Sequence, residues 1–228
     1  MRRSRLGSII STLIALQIVT LVVVVGGGLY LFRDLQGQIS GIAMGARPPN
    51  MPTNVSAWQE LVREHNATQG EKDASIVVIE FSDFQCPFCK KYNDGTRPDI
   101  LARHGKQVRM VFKHLPLTNI HPQAMAAAIA AQCAQREDKF WEAHDRFFAQ
   151  PDALSVDALI DIGMSLGLSK EYADCVTNEE TRSEVEQDIA DATKIGAQGT
   201  PIFVVNGKVL VGAQSVAAFS SVFEELAP

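Results

Sequence analysis

The feature that most constrains the fold is a Cys-x-x-Cys pair set between a predicted strand and a predicted helix. Residues 75–81 (SIVVIEF) form a near-continuous run of apolar and β-branched residues, which predicts a buried strand. Cys86-Pro87-Phe88-Cys89 follows after a short loop, and polar residues come next. Pro87 suits the first position of a helix, because its missing N–H is not needed there. The pair is therefore predicted at a helix N-terminus, in an α/β domain.

The remaining segments complete the predicted order of elements along the chain: β-α-β, a block of helices, then β-β-α. Asn206-Gly207 lies between two apolar runs, which is a strong hairpin signal. An α/β domain with a helical insertion at about 118–196 follows from this order. The predicted elements are a second strand at 107–115, helices across 121–195, hairpin strands at 202–205 and 208–211, and a last helix capped by Ser215 that ends near Leu226.

The amino terminus predicts a membrane anchor. Residues 6–32 contain no charged side chain and are long enough to cross a bilayer. Arginines at positions 2, 3 and 5 precede this segment, so the positive-inside rule keeps residues 1–5 in the cytoplasm and exports the rest. Residues 33–56, rich in Gly and Pro, are predicted to be a flexible linker, and residues 57–228 the exported domain.

A cleavable signal peptide is the alternative interpretation of residues 6–32. Signal peptides have apolar regions of about 7–15 residues, and this one is longer, so an uncleaved anchor is favoured. Either interpretation places the domain in a compartment where disulfides persist. The predicted location is the cytoplasmic membrane, crossed once.

The charge balance disfavours nucleic-acid binding. The whole chain has a net charge of −5, and its first 33 residues hold four Arg and no acid, which leaves −9 for the rest. A nucleic-acid-binding surface needs a basic patch. The bilayer, through residues 6–32, is the expected partner instead.

The spacing of Cys86 and Cys89 suits reversible dithiol chemistry. Unpaired N–H groups and the positive end of the helix dipole favour a thiolate at Cys86, which lowers its pKa. Cys89, one turn on, can close the ring and release a mixed disulfide. Half of a zinc site is disfavoured, since Cys133 and Cys175 do not form a second close pair. A static structural disulfide is disfavoured by the placement of the pair between strand and helix. No metal or organic cofactor is expected.

Residues 78–89 (VIEFSDFQCPFC) and 199–207 (GTPIFVVNG) resemble the two signatures of the DsbA-like thioredoxin-fold thiol oxidoreductases. The resemblance is closest to the membrane-anchored bacterial branch and spans about residues 58–226. It implies a thioredoxin fold for the exported domain.

The resemblance also implies roles for individual residues. Cys86 corresponds to the exposed, attacking cysteine and Cys89 to the buried, resolving one. Pro201 corresponds to the family's cis-proline, which lies against the cysteines. Thr200 would present its backbone to a substrate bound as an extended strand, a form of β-augmentation.

Glu80 corresponds to a buried acid near the resolving cysteine. Burial would raise the pKa of Glu80 and let it exchange a proton with Cys89. From its residues alone, Glu80 would be a carboxylate at a strand edge facing water. Lys113, on the second strand, is a candidate ion-pair partner for Glu80 or a solvated charge.

Pro87 and Phe88 are expected in the substrate-binding surface together with Thr200. Phe88 stands where strongly oxidising relatives carry His, so it supplies no positive charge to a thiolate. Phe84 and Phe88 are candidates for an apolar rim that contacts unfolded proteins.

The remaining cysteines, Cys133 and Cys175, are expected to form a structural disulfide, because two further cysteines in an oxidising compartment are usually bonded. Two buried free thiols are the alternative.

The predicted function is oxidation or exchange of disulfides in exported, cysteine-containing proteins. A membrane redox partner, resembling a quinone-linked thiol oxidase, would reset the dithiol. Two alternatives stay open: a reductase or isomerase supplied by a membrane electron donor, and a redox-inert thioredoxin-like binding module or chaperone.

Overall fold

The computed structural model describes Arg47 and residues 51–226. The predicted tip, membrane segment and most of the predicted linker lie outside the described residues. Within the described part, no helix has the length and apolar character needed to cross a bilayer.

The described chain alternates strands and helices in the predicted order. After a 3-10 helix at Trp58–Leu61, the strands and helices follow in chain order: β1 (Thr68–Gln69), β2 (Ile76–Ser82), α1 (Pro87–Lys91), a π-helical turn (Tyr92–Thr96), α2 (Arg97–His104), β3 (Val108–His114), α3 (Ala124–Gln135), α4 (Phe140–Ala149), α5 (Val156–Ser165), α6 (Lys170–Thr177), α7 (Arg182–Lys194), β4 (Ile202–Val205), β5 (Lys208–Val211) and α8 (Val216–Leu226).

The five strands form one mixed sheet in the order β1-β3-β2-β4-β5. β2 is the central strand; it runs parallel to β3 and antiparallel to β4. Its β-branched residues suit a strand that is covered on both faces. This arrangement confirms the predicted thioredoxin-type α/β domain with a helical insertion. β1 pairs with β3 and was not predicted, because two polar residues carry no strand pattern.

The two faces of the sheet hold different cores. Val78 and Phe203 face a core that contains Tyr92 and Phe219, beneath the π-helical turn, α2 and α8. The alternate residues of β2 face a second core, which includes Ala192 of α7. Since successive side chains of a strand point to opposite faces, the parity of a residue in β2 or β3 decides which core it enters.

The helical insertion, α3 to α7, has its own core around the Ala-rich helix α3. Small side chains let the neighbouring helices approach α3 closely, and nearly all of its residues are buried. Ser155 caps α5 by accepting a hydrogen bond from the Ala158 N–H.

The β4–β5 hairpin turns at Asn206-Gly207, as predicted, and both residues have positive φ. Glycine is required at position 207, because a Cβ there would lie 2.8 Å from Asn54 Oδ1. Asn54 in turn forms an antiparallel bridge with Lys208. Residues 51–56, which the sequence assigns to the linker, thus cover the edge of the sheet, and Met51 is buried.

Candidate active site

The Cys-x-x-Cys pair lies where the loop after β2 enters α1. Cys86 is the N-cap residue of α1, and Pro87 occupies the first turn. The Cys86 carbonyl accepts a hydrogen bond from the Lys90 N–H at 3.0 Å. Helical structure continues through the π-helical turn into α2. The predicted placement of Cys86 at a helix N-terminus is thereby present in the structure.

The two thiols are free and differ in their electrostatics. A hydrogen bond from the Cys89 thiol, helped by the Thr200 hydroxyl and the N–H groups of Cys89 and Phe88, lowers the pKa of Cys86 to about 6 against the effect of burial. Burial raises the pKa of Cys89 well above its usual range, and the hydrogen bond to Cys86 and the charge of Cys86 add to this effect. Near neutral pH, the thiolate therefore resides on Cys86 and the proton on Cys89.

The implied exposure of Cys86 is not observed. Only 4% of Cys86 is accessible, compared with 0% of Cys89. Cys86 is covered from the side of the Thr200-Pro201 loop, since its Sγ lies 3.4 Å from the Thr200 carbonyl oxygen.

The Thr200–Pro201 bond is cis and brings the second sequence motif against the first. Pro201 is buried. The Thr200 hydroxyl is also buried; it makes no hydrogen bond of standard length, yet it lies close enough to lower the pKa of both thiols. Two motifs more than a hundred residues apart in sequence thus form one site.

Glu80 is buried in the centre of β2, between Phe112 of β3 and Phe203 of β4. Burial raises its pKa to about 7, while the Ser82 hydroxyl and the charge of Arg97 act weakly in the opposite direction. Its Oε1 atom has no hydrogen-bond partner. A carboxyl group with this pKa can accept or donate a proton at neutral pH. The alternative, a solvent-facing edge carboxylate, is wrong.

The candidate pairing of Lys113 with Glu80 is also wrong. In the β2–β3 register, Glu80 stands opposite Phe112, and Lys113 stands opposite Phe81. Lys113 therefore points to the other face of the sheet. There its Nζ lies 2.7 Å from Asp188 Oδ1 and 3.0 Å from Asp191 Oδ2, on α7.

The loop before Cys86 is held by Asp83. The Asp83 carboxylate accepts hydrogen bonds from the N–H groups of Gln85 (2.7 Å) and Leu117 (2.8 Å). Its Oδ2 atom also lies 2.7 Å from His121 Nδ1. His121 received no role from the sequence, because a single His without a spaced partner carries no signal.

Gln85 fastens the same loop to the helical insertion. Its Oε1 accepts from the Gln123 N–H at 2.6 Å, and its Nε2 donates to the Pro151 carbonyl at 3.0 Å. The insertion thereby helps to position Cys86.

The predicted apolar rim is only partly present. Phe88 is 36% exposed and Pro87 is exposed, so both lie on the surface beside the thiols. Phe84 is buried and stacks on Phe112, with ring centroids 5.5 Å apart. The expectation that Phe84 contacts substrates is therefore wrong, because this ring belongs to the core of the insertion.

Cys133 and Cys175 are joined by a disulfide that ties α3 to α6. Both are buried. Among the described residues there is no cluster of side chains that could hold a metal ion.

Three polar residues near Glu80 were missed by sequence reasoning: Ser82, Tyr92 and Arg97. Tyr92 is fully buried, its hydroxyl has no partner, and burial together with the charge of Glu80 raises its pKa. The Arg97 guanidinium packs 4.4 Å from the ring centroid of Trp141 and donates to Gln69. Ser82 belongs to β2 itself, whereas Tyr92 and Arg97 come near β2 only through the packing of the helical segment, which no local pattern reveals.

Comparison with known proteins gives a consistent match for the domain. A family model described as Thioredoxin matches residues 63–225. The chain is also similar to the Na(+)/H(+) antiporter NhaA 3 of Salinispora tropica, with 33% identity over 160 residues, which are 70% of this chain and 24% of that protein. The chain thus spans about a quarter of the length of the curated relatives that it matches.

Two crystal structures resemble the domain, each with a TM-score of 0.65. BdbD from Bacillus subtilis, in its oxidised form, is 24% identical, and the match covers 77% of this chain and 96% of that one. The alpha-DsbA1 protein of Wolbachia pipientis is 20% identical, with 75% and 96% covered. At these identities, the two likenesses establish the fold.

Proposed function

Because this chain belongs to the thioredoxin family, we propose that it is a DsbA-like thiol-disulfide oxidoreductase of the cell envelope, working through the Cys86–Cys89 dithiol. The observation that carries the proposal is the opposite displacement of the two thiol pKa values, to about 6 for Cys86 and well upward for Cys89. An attacking thiol needs to be ionised, and a resolving thiol needs to keep its proton until it attacks the mixed disulfide.

The exchange follows from this arrangement. In the oxidised protein, a substrate thiolate attacks Cys86 Sγ, the Cys86–Cys89 bond breaks, and Cys89 leaves as a thiolate. Glu80, with a pKa of about 7, supplies the proton that neutralises Cys89. A second substrate thiolate then attacks the substrate sulfur of the mixed disulfide, and Cys86 leaves as a thiolate. The substrate has lost two electrons and the dithiol has gained them, so the sulfur pair itself carries the electrons and no cofactor is involved.

Substrates are proposed to be unfolded, cysteine-containing exported proteins. Phe88, exposed beside the thiols, offers an apolar contact, and the Thr200-Pro201 loop offers backbone groups to an extended strand. Residues 6–32 are proposed to hold the domain at the outer side of a bacterial cytoplasmic membrane. A membrane redox partner, a quinone-linked thiol oxidase in the oxidative direction, would take the two electrons back.

The opposite direction of electron flow is a second candidate, and Phe88 favours it. Phe supplies no charge to the Cys86 thiolate, and a pKa of about 6 lies closer to the thioredoxin value of about 7 than to the DsbA value of about 3.5. A less stabilised thiolate makes the dithiol less oxidising. In this alternative, a membrane electron donor would keep the pair reduced for disulfide reduction or isomerisation.

The reduction potential tests the proposal and separates the two directions. The full-length protein in detergent would be equilibrated with glutathione buffers, and its thiols trapped by alkylation. A value near about −120 mV supports an oxidase and a value near about −270 mV a reductase. If Cys86 and Cys89 fail to exchange with glutathione at all, the domain is the redox-inert binding module and the proposal is wrong.

A further inference from the structure

Ser82 is a buried residue close to both groups that must exchange a proton, Glu80 and Cys89. It is the last residue of β2, two positions after Glu80, so both side chains project from the same face of the sheet. Phe112, which stands opposite Glu80 in β3, packs in the same core cluster as Cys86 and Cys89, so the dithiol lies on this face as well. Ser82 is 2% exposed. Its hydroxyl is therefore buried on the face of the sheet that carries both the acid and the dithiol.

The Ser82 hydroxyl and one Glu80 oxygen both lack a hydrogen-bond partner. Ser82 Oγ and Glu80 Oε1 are both buried and make no hydrogen bond of standard length. Buried polar atoms are nearly always hydrogen-bonded, and an unpaired one destabilises the fold. A hydroxyl can donate one hydrogen bond and accept others, and it rotates freely about its C–O bond. Small movements of Glu80 and Cys89 would let the Ser82 hydroxyl form a hydrogen bond with each of them.

The same hydroxyl acts on both reacting groups. It lowers the pKa of the Glu80 carboxyl and, separately, the pKa of the Cys89 thiol. A hydroxyl that stabilises both the carboxylate and the thiolate is near both. Two other groups on this face also affect Glu80: the charge of Arg97 from α2 and the buried Tyr92 hydroxyl from the π-helical turn. Cys86 faces Cys89 from α1. From β3 and β4 the neighbours of Glu80 are Phe112 and Phe203, which do not titrate.

We propose that Ser82 is a proton relay between Glu80 and Cys89. The inference rests on the proposed function and adds a residue to it. When Cys89 becomes the attacking group, its S–H proton passes to Ser82 Oγ while the Ser82 O–H proton passes to the Glu80 carboxylate. The products are a Cys89 thiolate, an unchanged hydroxyl and a neutral Glu80. No electrons move, and the reverse transfer protonates Cys89 when it leaves the disulfide.

The test measures the two steps of one reaction separately. The reduced full-length protein in detergent is mixed with glutathione disulfide, and samples are acid-quenched and weighed by mass spectrometry between pH 5 and 9. Formation of the Cys86–glutathione adduct reports attack by Cys86, and its decay reports attack by Cys89. Ser82→Ala is expected to slow decay at least about a hundredfold near neutral pH, the lower end of the range for general acid–base catalysis, and to leave formation unchanged.

A double-mutant cycle distinguishes a relay from a packing effect. If the proton passes through Ser82, Glu80→Gln already removes the proton acceptor. The adduct of the double variant Glu80→Gln/Ser82→Ala should then decay at the same rate as the adduct of Glu80→Gln alone. The inference is overturned if the two single substitutions slow adduct decay by factors that multiply in the double variant. It is also overturned if the Ser82→Ala adduct decays like the wild-type adduct at every pH. The pair Ser82→Thr and Ser82→Val, equal in shape and different in the hydroxyl, repeats the comparison if Ser82→Ala does not fold. Decay must then be faster in the Thr variant, and equal rates overturn the relay.

The adduct step keeps this inference separate from the proposed function. If the wild-type protein forms no adduct at Cys86, the oxidoreductase proposal fails and the relay fails with it. If the adduct forms and decays normally in every Ser82 variant, the oxidoreductase proposal stands and only the relay is wrong.

Discussion

The central sheet separates two buried charged sites that are built in opposite ways. On one face, Glu80 is enclosed by apolar rings and leaves an oxygen without a partner. On the other face, Lys113 contacts both Asp188 and Asp191, and Arg63 donates two further hydrogen bonds to Asp191 at 2.6 and 2.7 Å.

The difference between the sites appears in their pKa values. Burial without a partner raises the pKa of Glu80 to about 7, whereas hydrogen bonds and nearby cations hold the pKa values of Asp188 and Asp191 below the usual range in spite of burial. A paired carboxylate stays ionised and stabilises the fold. An unpaired buried carboxylate has a pKa near neutral pH, so it can transfer a proton there. The predictions below test this contrast.

The largest effect is expected on the Glu80 face, from Cys89→Ala. Without its resolving thiol, the protein should lose turnover entirely and accumulate substrate proteins in mixed disulfides with Cys86. Non-reducing gels of cell extracts, followed by mass spectrometry, measure these adducts. Cys86→Ala is the matched control and should form none. If Cys89→Ala accumulates no more adducts than this control, the exchange mechanism is wrong.

On the opposite face, Lys113→Met should destabilise the domain by about 4 kcal/mol, because it removes the buried cation that Asp188 and Asp191 share. Urea unfolding at pH 7 measures this change. Arg182→Ala breaks an ion pair with Glu179 on the surface and should cost less than about 1 kcal/mol. A loss for Lys113→Met as small as that of the control would mean that the cluster is not structural.

This loss should depend on pH in a defined direction. Asp188 and Asp191 have lowered pKa values in the folded state, so their contribution is present above the ordinary value of 3.8 and is lost as the pH falls below it. The stability difference between wild type and Lys113→Met should therefore shrink in acid. A difference that stays constant down to the acid transition contradicts this assignment.

Glu80→Gln should show the opposite sign. The pKa of Glu80 is raised from 4.5 to about 7, so the folded protein binds the proton more tightly and the cost of the charge grows as the pH rises through this interval. The free energy of unfolding of the variant should exceed that of wild type by about 3 kcal/mol above pH 7, and the two should be equal below pH 4.5. Unfolding measured across this range tests it, and a gain that is independent of pH would show that Glu80 is not the titrating group.

The smallest effect is expected from Thr200→Val, which removes the buried hydroxyl beside the thiols. This hydroxyl lowers the pKa of both cysteines, so its loss should raise the pKa of Cys86 from about 6 by less than about one unit. Thiolate absorbance in the ultraviolet measures the titration. Thr193→Val on the surface of α7 is the control and should leave the curve in place. A fall in the Cys86 pKa would contradict the assigned role of Thr200.

Local patterns in the sequence were sufficient for the elements that carry the chemistry. The apolar run of β2, the proline after Cys86 and the Asn206-Gly207 turn each act over a few residues, where backbone preference and hydrophobic periodicity decide the outcome. The helical block was also recognisable from composition, although α6 was not predicted as a separate helix. These features determined an α/β domain with a dithiol at a helix N-terminus.

Only the tertiary structure decided which side chains meet. The partner of Lys113 depends on the register between β2 and β3, and a shift of one residue would have moved it to the face of Glu80. The depth of Cys86 depends on the Thr200-Pro201 loop, and the packing of residues 51–56 depends on the exposed edge of β5. Such contacts join residues that are distant in the chain, and their energies depend on burial and geometry that no local pattern contains. The sequence therefore determined the reactive group, and the packing around it decided where protons and charges reside.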